Sequence, residues 1–349
     1  MKRTLTLAVL LGLGVPCGAQ TTTPALAAPA TPGYHIVKKT VLGGEGGWDC
    51  LMVNPTAKLV YITRGTHVMV VDEVKHTLVA NIPEVGGVHG VALDRASGHG
   101  FVTNGQDNTV AVFDQATRKP AGSVKVGQNP DVILYDRTSR RLFSMNGASN
   151  DATAIDPATN LVLGTVPLNG KPEFAVADGK GTIFVNLEDK SEVAAFDAKT
   201  LKVTKRWSIA PGDGPTGIAF DRTHRRVFSA CGNGKMIVSD PDTGMVVATV
   251  PIGNGPDGAT YDARLGLAFS PNGRDGTLTV IHEDAPGKYT VVETVPTQAG
   301  ARTMALDLRT HHVFLVTADP DTTPPAAGEN PRRRRFKPGT FTLIELAPR

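Results

Sequence analysis

The sequence predicts an all-β fold, a seven-bladed β-propeller whose last blade is closed by the N-terminal strand, on three observations. First, an Asp followed seven residues later by an aromatic recurs at Asp94/Phe101, Asp136/Phe143, Asp221/Phe228, Asp262/Phe269 and Asp307/Phe314. Asn54/Tyr61 fits with Asn for Asp, and Asp178/Phe184 fits with one residue deleted. Successive anchors lie 40 to 45 residues apart, the length of a four-stranded propeller blade. Second, an acidic residue ends an alternating strand in most units: Asp72, Asp114, Asp156, Asp197 and Asp240, with His282 and Glu345 in the equivalent places of units six and seven. Third, 38 Gly and 25 Pro among 349 residues over-supply turns, and no unit carries the 3.6-residue period of a helical repeat.

The elements follow in chain order. Lys2 and Arg3 precede an apolar stretch over 5–15, and Cys17-Gly18-Ala19 offers small residues before Gln20. That pattern predicts a secretory signal peptide over 1–19, with a second cleavage point after Ala27, and places the mature protein in the periplasm or outside the cell. Pro16 argues against reading Cys17 as a lipoprotein cysteine. Residues 20–33, rich in Thr, Ala and Pro, read as a flexible linker. The propeller then covers 34–349. Unit two shows the blade pattern, with strands over 90–93, 101–103, 110–113 and 121–126 separated by turns rich in Gly, Asn and Asp. Unit seven stops at its third strand, 341–346, whereas 35–42 aligns with the fourth strands of the other units. The N-terminal strand is therefore expected to complete the last blade and remove its open edge. No further segment is long and apolar enough to cross a bilayer.

Val60-Tyr61-Ile62-Thr63, Phe101-Val102-Thr103-Asn104, the recurring Gly-x-x-Pro segments and the Asp-x-x-Thr turns at Asp197/Thr200 and Asp240/Thr243 carry a resemblance. The chain resembles the YncE-like, YVTN-repeat bacterial β-propellers over roughly residues 34 to 349. The resemblance implies an exported seven-bladed propeller of a family mostly without assigned enzymatic activity, and it transfers no catalytic motif.

Composition excludes several function classes. The formal charge is +3, and Lys2 and Arg3 supply two of those positives, so a globally basic nucleic-acid binder is not indicated. Three cysteines without CxxC spacing exclude a disulfide framework and a Cys-based zinc cluster. Cys50 and Cys231 fall on blades one and five and are expected to be free thiols. No Gly-rich strand-to-helix loop, Gly-x-Ser-x-Gly or CxxCH occurs, which removes the common nucleotide, α/β-hydrolase and c-type haem readings. His311-His312 falls in a turn on the face opposite the expected site.

Where function could sit follows from blade geometry. The position five before each anchor lies near the start of the first strand, at one mouth of the central channel: Asp49, His89, Asp131, Glu173, Thr216, Asp257 and Arg302. Carboxylates converging there repel one another, which raises some of their pKa values or attracts a cation. Arg302 would neutralise Asp49 or clamp an anionic ligand. Read without a ligand, these are water-solvated channel groups; read as a site, they bind a polar ligand or a divalent cation, with His89 the best proton carrier. Trp48 on the same face either stacks on a ligand or packs on blade seven. A second polar set, Arg64, Asn104, Asn146, Leu187, Cys231, Asn272 and Thr317, occupies the second-to-third-strand loops, where Asn suits a tight turn.

Blade seven carries the one insertion, over about 319–340 and rich in Pro, Ala and Gly, which predicts a disordered loop. Within it Arg332, Arg333, Arg334, Arg335 and Lys337 form a basic run, either a solvated loop or a grip on an anionic polymer or membrane surface. The functional expectation is an exported, non-enzymatic binding or scaffold propeller, with an unidentified ligand or protein partner at the channel face and no obligatory cofactor. The alternative is a metal-dependent, lactonase-like hydrolase or lyase using the same carboxylates with His89.

Overall fold

The computed structural model describes residues 33–83, 86–323 and 335–349. The predicted signal peptide and nearly all of the linker, together with Arg332, Arg333 and Arg334, lie outside the described residues. Seven four-stranded antiparallel sheets form the blades of a propeller. Blade two is typical, with strands Val88–Asp94, His99–Asn104, Thr109–Asp114 and Pro120–Lys125 hydrogen-bonded in chain order. First strands of successive blades pack on one another, whereas fourth strands such as Pro120–Lys125 and Leu161–Pro167 are largely exposed, so the first strands line the centre. One 3-10 turn, Glu188–Lys190, interrupts the all-β pattern among the described residues.

The two sequence markers each have a physical cause. The anchor carboxylates cap the turn between first and second strands: Asp136 accepts from the backbone N–H groups of Thr138 (3.3 Å) and Ser139 (2.8 Å). Asp94, Asp178, Asp221, Asp262 and Asp307 repeat the cap, and Asn54 does so with its amide oxygen. The acidic residues at the ends of third strands cap the next turn in the same way, as Asp197 does for Lys199 (3.0 Å) and Thr200 (2.6 Å). Both turns then need a left-handed residue, supplied by Arg140 at φ 58° and Leu201 at φ 59°. Asp136 is 1% exposed and its two donors are part-buried, so Asp136→Ala is expected to lose about 1 kcal/mol in chemical denaturation, with little loss in Asp136→Asn.

The recurring aromatics fill the seams between blades. Tyr61, Phe101, Phe143, Phe184, Phe228, Phe269 and Phe314 are 0 to 2% exposed, and each sits in a different apolar cluster at a blade junction. Phe101 packs with Ile133 and Leu142 of blade three, and Phe314 with Leu51 and Ile62 of blade one. The core is thus seven wedges rather than one mass, and one aromatic per repeat holds each wedge.

Blade seven closes as expected. Tyr34–Val41 pairs antiparallel with Thr342–Pro348, from Tyr34 opposite Pro348 to Val41 opposite Thr342, outside His312–Thr317 and Met304–Asp307. The expectation of disorder throughout 319–340 fails at both ends of the insertion. Pro320 bridges Phe336, the Asp321 N–H donates to the Arg335 carbonyl at 2.9 Å, and the Lys337 N–H donates to the Asp319 carbonyl at 2.8 Å. The hairpin continues there because Phe336 has a packing partner, Trp48, 4.4 Å away between ring centroids.

Candidate functional site

Four of the channel-mouth residues are positioned by a neighbouring blade through their backbone carbonyls. The Thr63 hydroxyl donates to the His89 carbonyl at 2.7 Å, the Thr103 hydroxyl to that of Asp131, and the Thr303 hydroxyl to that of Asp49 at 2.5 Å. The Asn186 amide donates to the Thr216 carbonyl at 3.0 Å. Thr63, Thr103 and Asn186 lie inside strands and Thr303 just before one. Of the ring itself His89, Asp131, Glu173 and Thr216 stand in first strands, whereas Asp49, Asp257 and Arg302 lie in the segments that lead into them.

Six of the seven positions carry the charged groups predicted for them, and most of these meet. His89 Nδ1 is 2.7 Å from Asp49 Oδ2 and 3.5 Å from Asp131 Oδ1. Arg302 Nε donates to Asp257 Oδ2 at 2.7 Å, while its NH2 lies 3.6 Å from Asp49 Oδ1 and donates to the Trp48 carbonyl at 2.9 Å. Charge therefore alternates around the mouth from Asp257 through Arg302, Asp49 and His89 to Asp131. Arg302 bridges Asp49 and Asp257, one cation between two carboxylates. Glu173 is the most buried of the set and pairs with Lys171 at 2.8 Å, which also holds Glu188. Thr216 turns its hydroxyl to the Pro256 carbonyl at 3.1 Å and joins no charge pair.

Lys171 is a member of the site that the ring positions did not disclose. It sits just before Pro172, where Asn129, Gly214 and Gly255 precede the prolines of blades three, five and six. Those three are left-handed, at φ 51°, 58° and 70°, and a lysine among them was the available signal.

The electrostatics favour a positive guest. Burial, then the neighbouring Asp49 carboxylate, pushes Asp131 up to about 6. Burial and the facing Asp131 push Glu173 up to about 8 despite the Lys171 ammonium. Asp257 is raised by burial and Asp49. The Asp49 hydrogen bond raises His89. Burial lowers Lys171, but its bonds to Glu173 and Glu188 more than offset this and hold it above the ordinary range. The mouth thus carries more carboxylate than its own cations can balance. Asp49, His89 and Asp131 each offer a ligand atom, all within 4.8 Å of one another. Gly105 keeps the imidazole free, since a Cβ there would come within 3.2 Å of His89 Nε2.

A second three-group cluster, Asp221, His224 and Glu283, lies between blades five and six. Its carboxylates are already engaged: Tyr261 and Tyr289 donate to Glu283 at 2.8 and 3.1 Å, and backbone N–H groups fill Asp221. His311 and His312 serve as staples, bound to Asp262 at 2.5 Å and Glu345 at 2.6 Å.

Other expected site residues are placed differently. Trp48 is 5% exposed and packs against Phe336 and Phe341 of blade seven, so its ring has no open face for stacking on a ligand. Arg335 is ion-paired with Asp321 at 2.6 Å, which ties this member of the basic run to its own hairpin; Lys337 is exposed. Asn146 and Asn272 close their loops through side-chain bonds to Thr153 (2.9 Å) and Thr279 (2.8 Å), and Asn104 does so through Asp107. The left-handed residues of those loops include Asn108 and Asn150, not these asparagines. Cys50 and Cys231 are free and buried, and burial pushes both thiols up, Cys231 to about 12.

No protein-family model matches the chain, and no curated protein matches it. Among solved structures the chain is similar to Kuenenia stuttgartiensis hydrazine synthase, with a TM-score of 0.68 at 15% sequence identity, over 77% of this chain and 92% of that one. At that identity the likeness is one of fold: the chain is a seven-bladed β-propeller, nearly all β, with no helix among the described residues long and apolar enough to cross a membrane.

Proposed function

We propose that this chain is an exported, non-enzymatic binding propeller of the YncE-like kind that takes a divalent cation at its channel mouth, through Asp49, His89 and Asp131. One observation carries the reading: an imidazole nitrogen and two carboxylate oxygens converge within 4.8 Å at the channel mouth, amid an excess of carboxylates. Two oxygens and one imidazole nitrogen suit Mn²⁺ or Zn²⁺ better than Ca²⁺, which prefers an all-oxygen shell. The ion would replace the proton that His89 shares with Asp49, and binding therefore strengthens with pH. The signal-peptide pattern over 1–19 supports export to the periplasm or beyond, where the propeller would hold its ligand or partner.

The test is thermal unfolding after EDTA, then with Mn²⁺, Zn²⁺, Ca²⁺ or Mg²⁺. The expected result is a saturable rise in midpoint with Mn²⁺ or Zn²⁺, larger at about pH 8 than at about pH 6, and lost in Asp131→Asn. No rise with any of the four ions overturns the reading. A second reading, a metal-dependent hydrolase or lyase, is favoured by Glu173, whose carboxyl holds a proton near neutral pH beside the cluster. It alone expects turnover of lactones or related esters that His89→Ala abolishes.

A further inference from the structure

Arg64 is among the largest fully buried side chains, 1% exposed, yet among the described residues no carboxylate lies within ion-pairing distance of it. Its guanidinium stacks on the Phe341 ring at 3.6 Å, and its NH2 donates to the Glu45 carbonyl at 2.8 Å. Nε and NH1 are buried without any hydrogen-bond partner. A buried cation with two unsatisfied donors is costly, and native proteins rarely leave one so. Burial lowers its pKa to about 10, and it in turn helps hold the adjacent His67 below the ordinary range.

The surroundings form a receptacle. Arg64 borders a cavity of about 250 Å³ between blades seven and one, together with Lys337, Phe336, Phe341 and the glycine loop around Glu45. Gly43, Gly44 and Gly46 are left-handed, at φ 69°, 78° and 95°, and a Cβ on Gly44 would lie 3.7 Å from an Arg64 NH2 nitrogen, so a backbone without side chain approaches the guanidinium there. Glu45 is exposed and is the one acidic residue among those that line the cavity. We propose that this cavity binds a small oxyanion, a phosphate or carboxylate group, with Arg64 as its buried counter-charge and Lys337 as its second cation. Guanidinium and ammonium groups together recognise such oxyanions, and a low-dielectric setting strengthens the contact. The site is separate from the channel mouth and does not need a metal there.

The test is thermal unfolding in EDTA with inorganic phosphate, with acetate, and with chloride at matched ionic strength. The wild type should show a saturable rise with phosphate. Lys337→Ala, at an exposed position that leaves the fold intact, should weaken it about tenfold. Arg64→Leu should abolish it, and Asp131→Asn should keep it. A rise with phosphate alone identifies a phosphate ligand, and a rise with acetate as well identifies the broader oxyanion class. If Arg64→Leu fails to fold, phosphate titrated calorimetrically into wild type and Lys337→Ala decides. No saturable rise with either anion, or equal unsaturating rises in every variant as excluded solutes give, overturns the proposal.

Discussion

Tyr34→Ala should lower stability by about 3–5 kcal/mol, the range for truncating a large buried ring. Tyr34 is 0% exposed and stands in the seam between blades six and seven, edge-on to Phe269 at 5.0 Å. Its hydroxyl donates to the His311 carbonyl at 2.9 Å and its N–H to Glu293 at 2.6 Å. The first strand is otherwise mostly exposed, so this residue is its main apolar anchor. Next to it the Arg349 N–H donates to the Gly33 carbonyl at 2.7 Å, binding the two ends of the ring. Tyr34→Phe should cost only about 1 kcal/mol, the worth of the hydroxyl contact. Urea unfolding measures both. A loss below about 1 kcal/mol in the alanine variant would mean that the ring does not depend on its N-terminal strand for closure.

Glu173→Gln should make the protein more stable at alkaline pH and leave it unchanged in acid. The folded carboxyl titrates at about 8 and its ordinary value is 4.5, so between those pH values the folded state keeps a proton that the unfolded state has lost. Stability therefore falls as pH rises through that window. The glutamine cannot ionise and removes the slope, while its amide oxygen still accepts from Lys171. The gain at about pH 8 should be on the order of 2–3 kcal/mol, less than the full shift implies because Lys171 loses a charged partner. Asp131, raised to about 6, contributes a slope of the same sign in a lower window. An unchanged pH profile in the variant would show that Glu173 is ionised and satisfied in the fold.

Much of this was legible in the sequence because the repeat is built from local chemistry. A capping Asp, a left-handed turn residue and a seam-filling aromatic recur at nearly fixed spacing, and seven copies make the blade count and the closing strand readable. The ring was legible for the same reason, since one repeat position maps onto one height in the channel. What escaped depended on contacts between distant segments. Trp48 is covered by Phe336, which arrives from the insertion in blade seven. Arg64 reads as one polar loop residue among several, and only the stacking of Phe341 and the glycine loop above it reveals a buried cation. Lys171 reaches the ring from two residues before Glu173, which a strict alignment of equivalent positions passes over. The insertion looked disordered by composition, yet Asp321 and Arg335 pair across its base.

The most direct measurement is calorimetric titration of Mn²⁺ and Zn²⁺ into chelator-stripped protein, wild type beside His89→Ala and Asp131→Asn. One ion should bind per chain in the wild type, with release of a proton, and none in either folded variant. Absence of binding in the wild type, or equal binding in all three proteins, would contradict a cation site at the channel mouth.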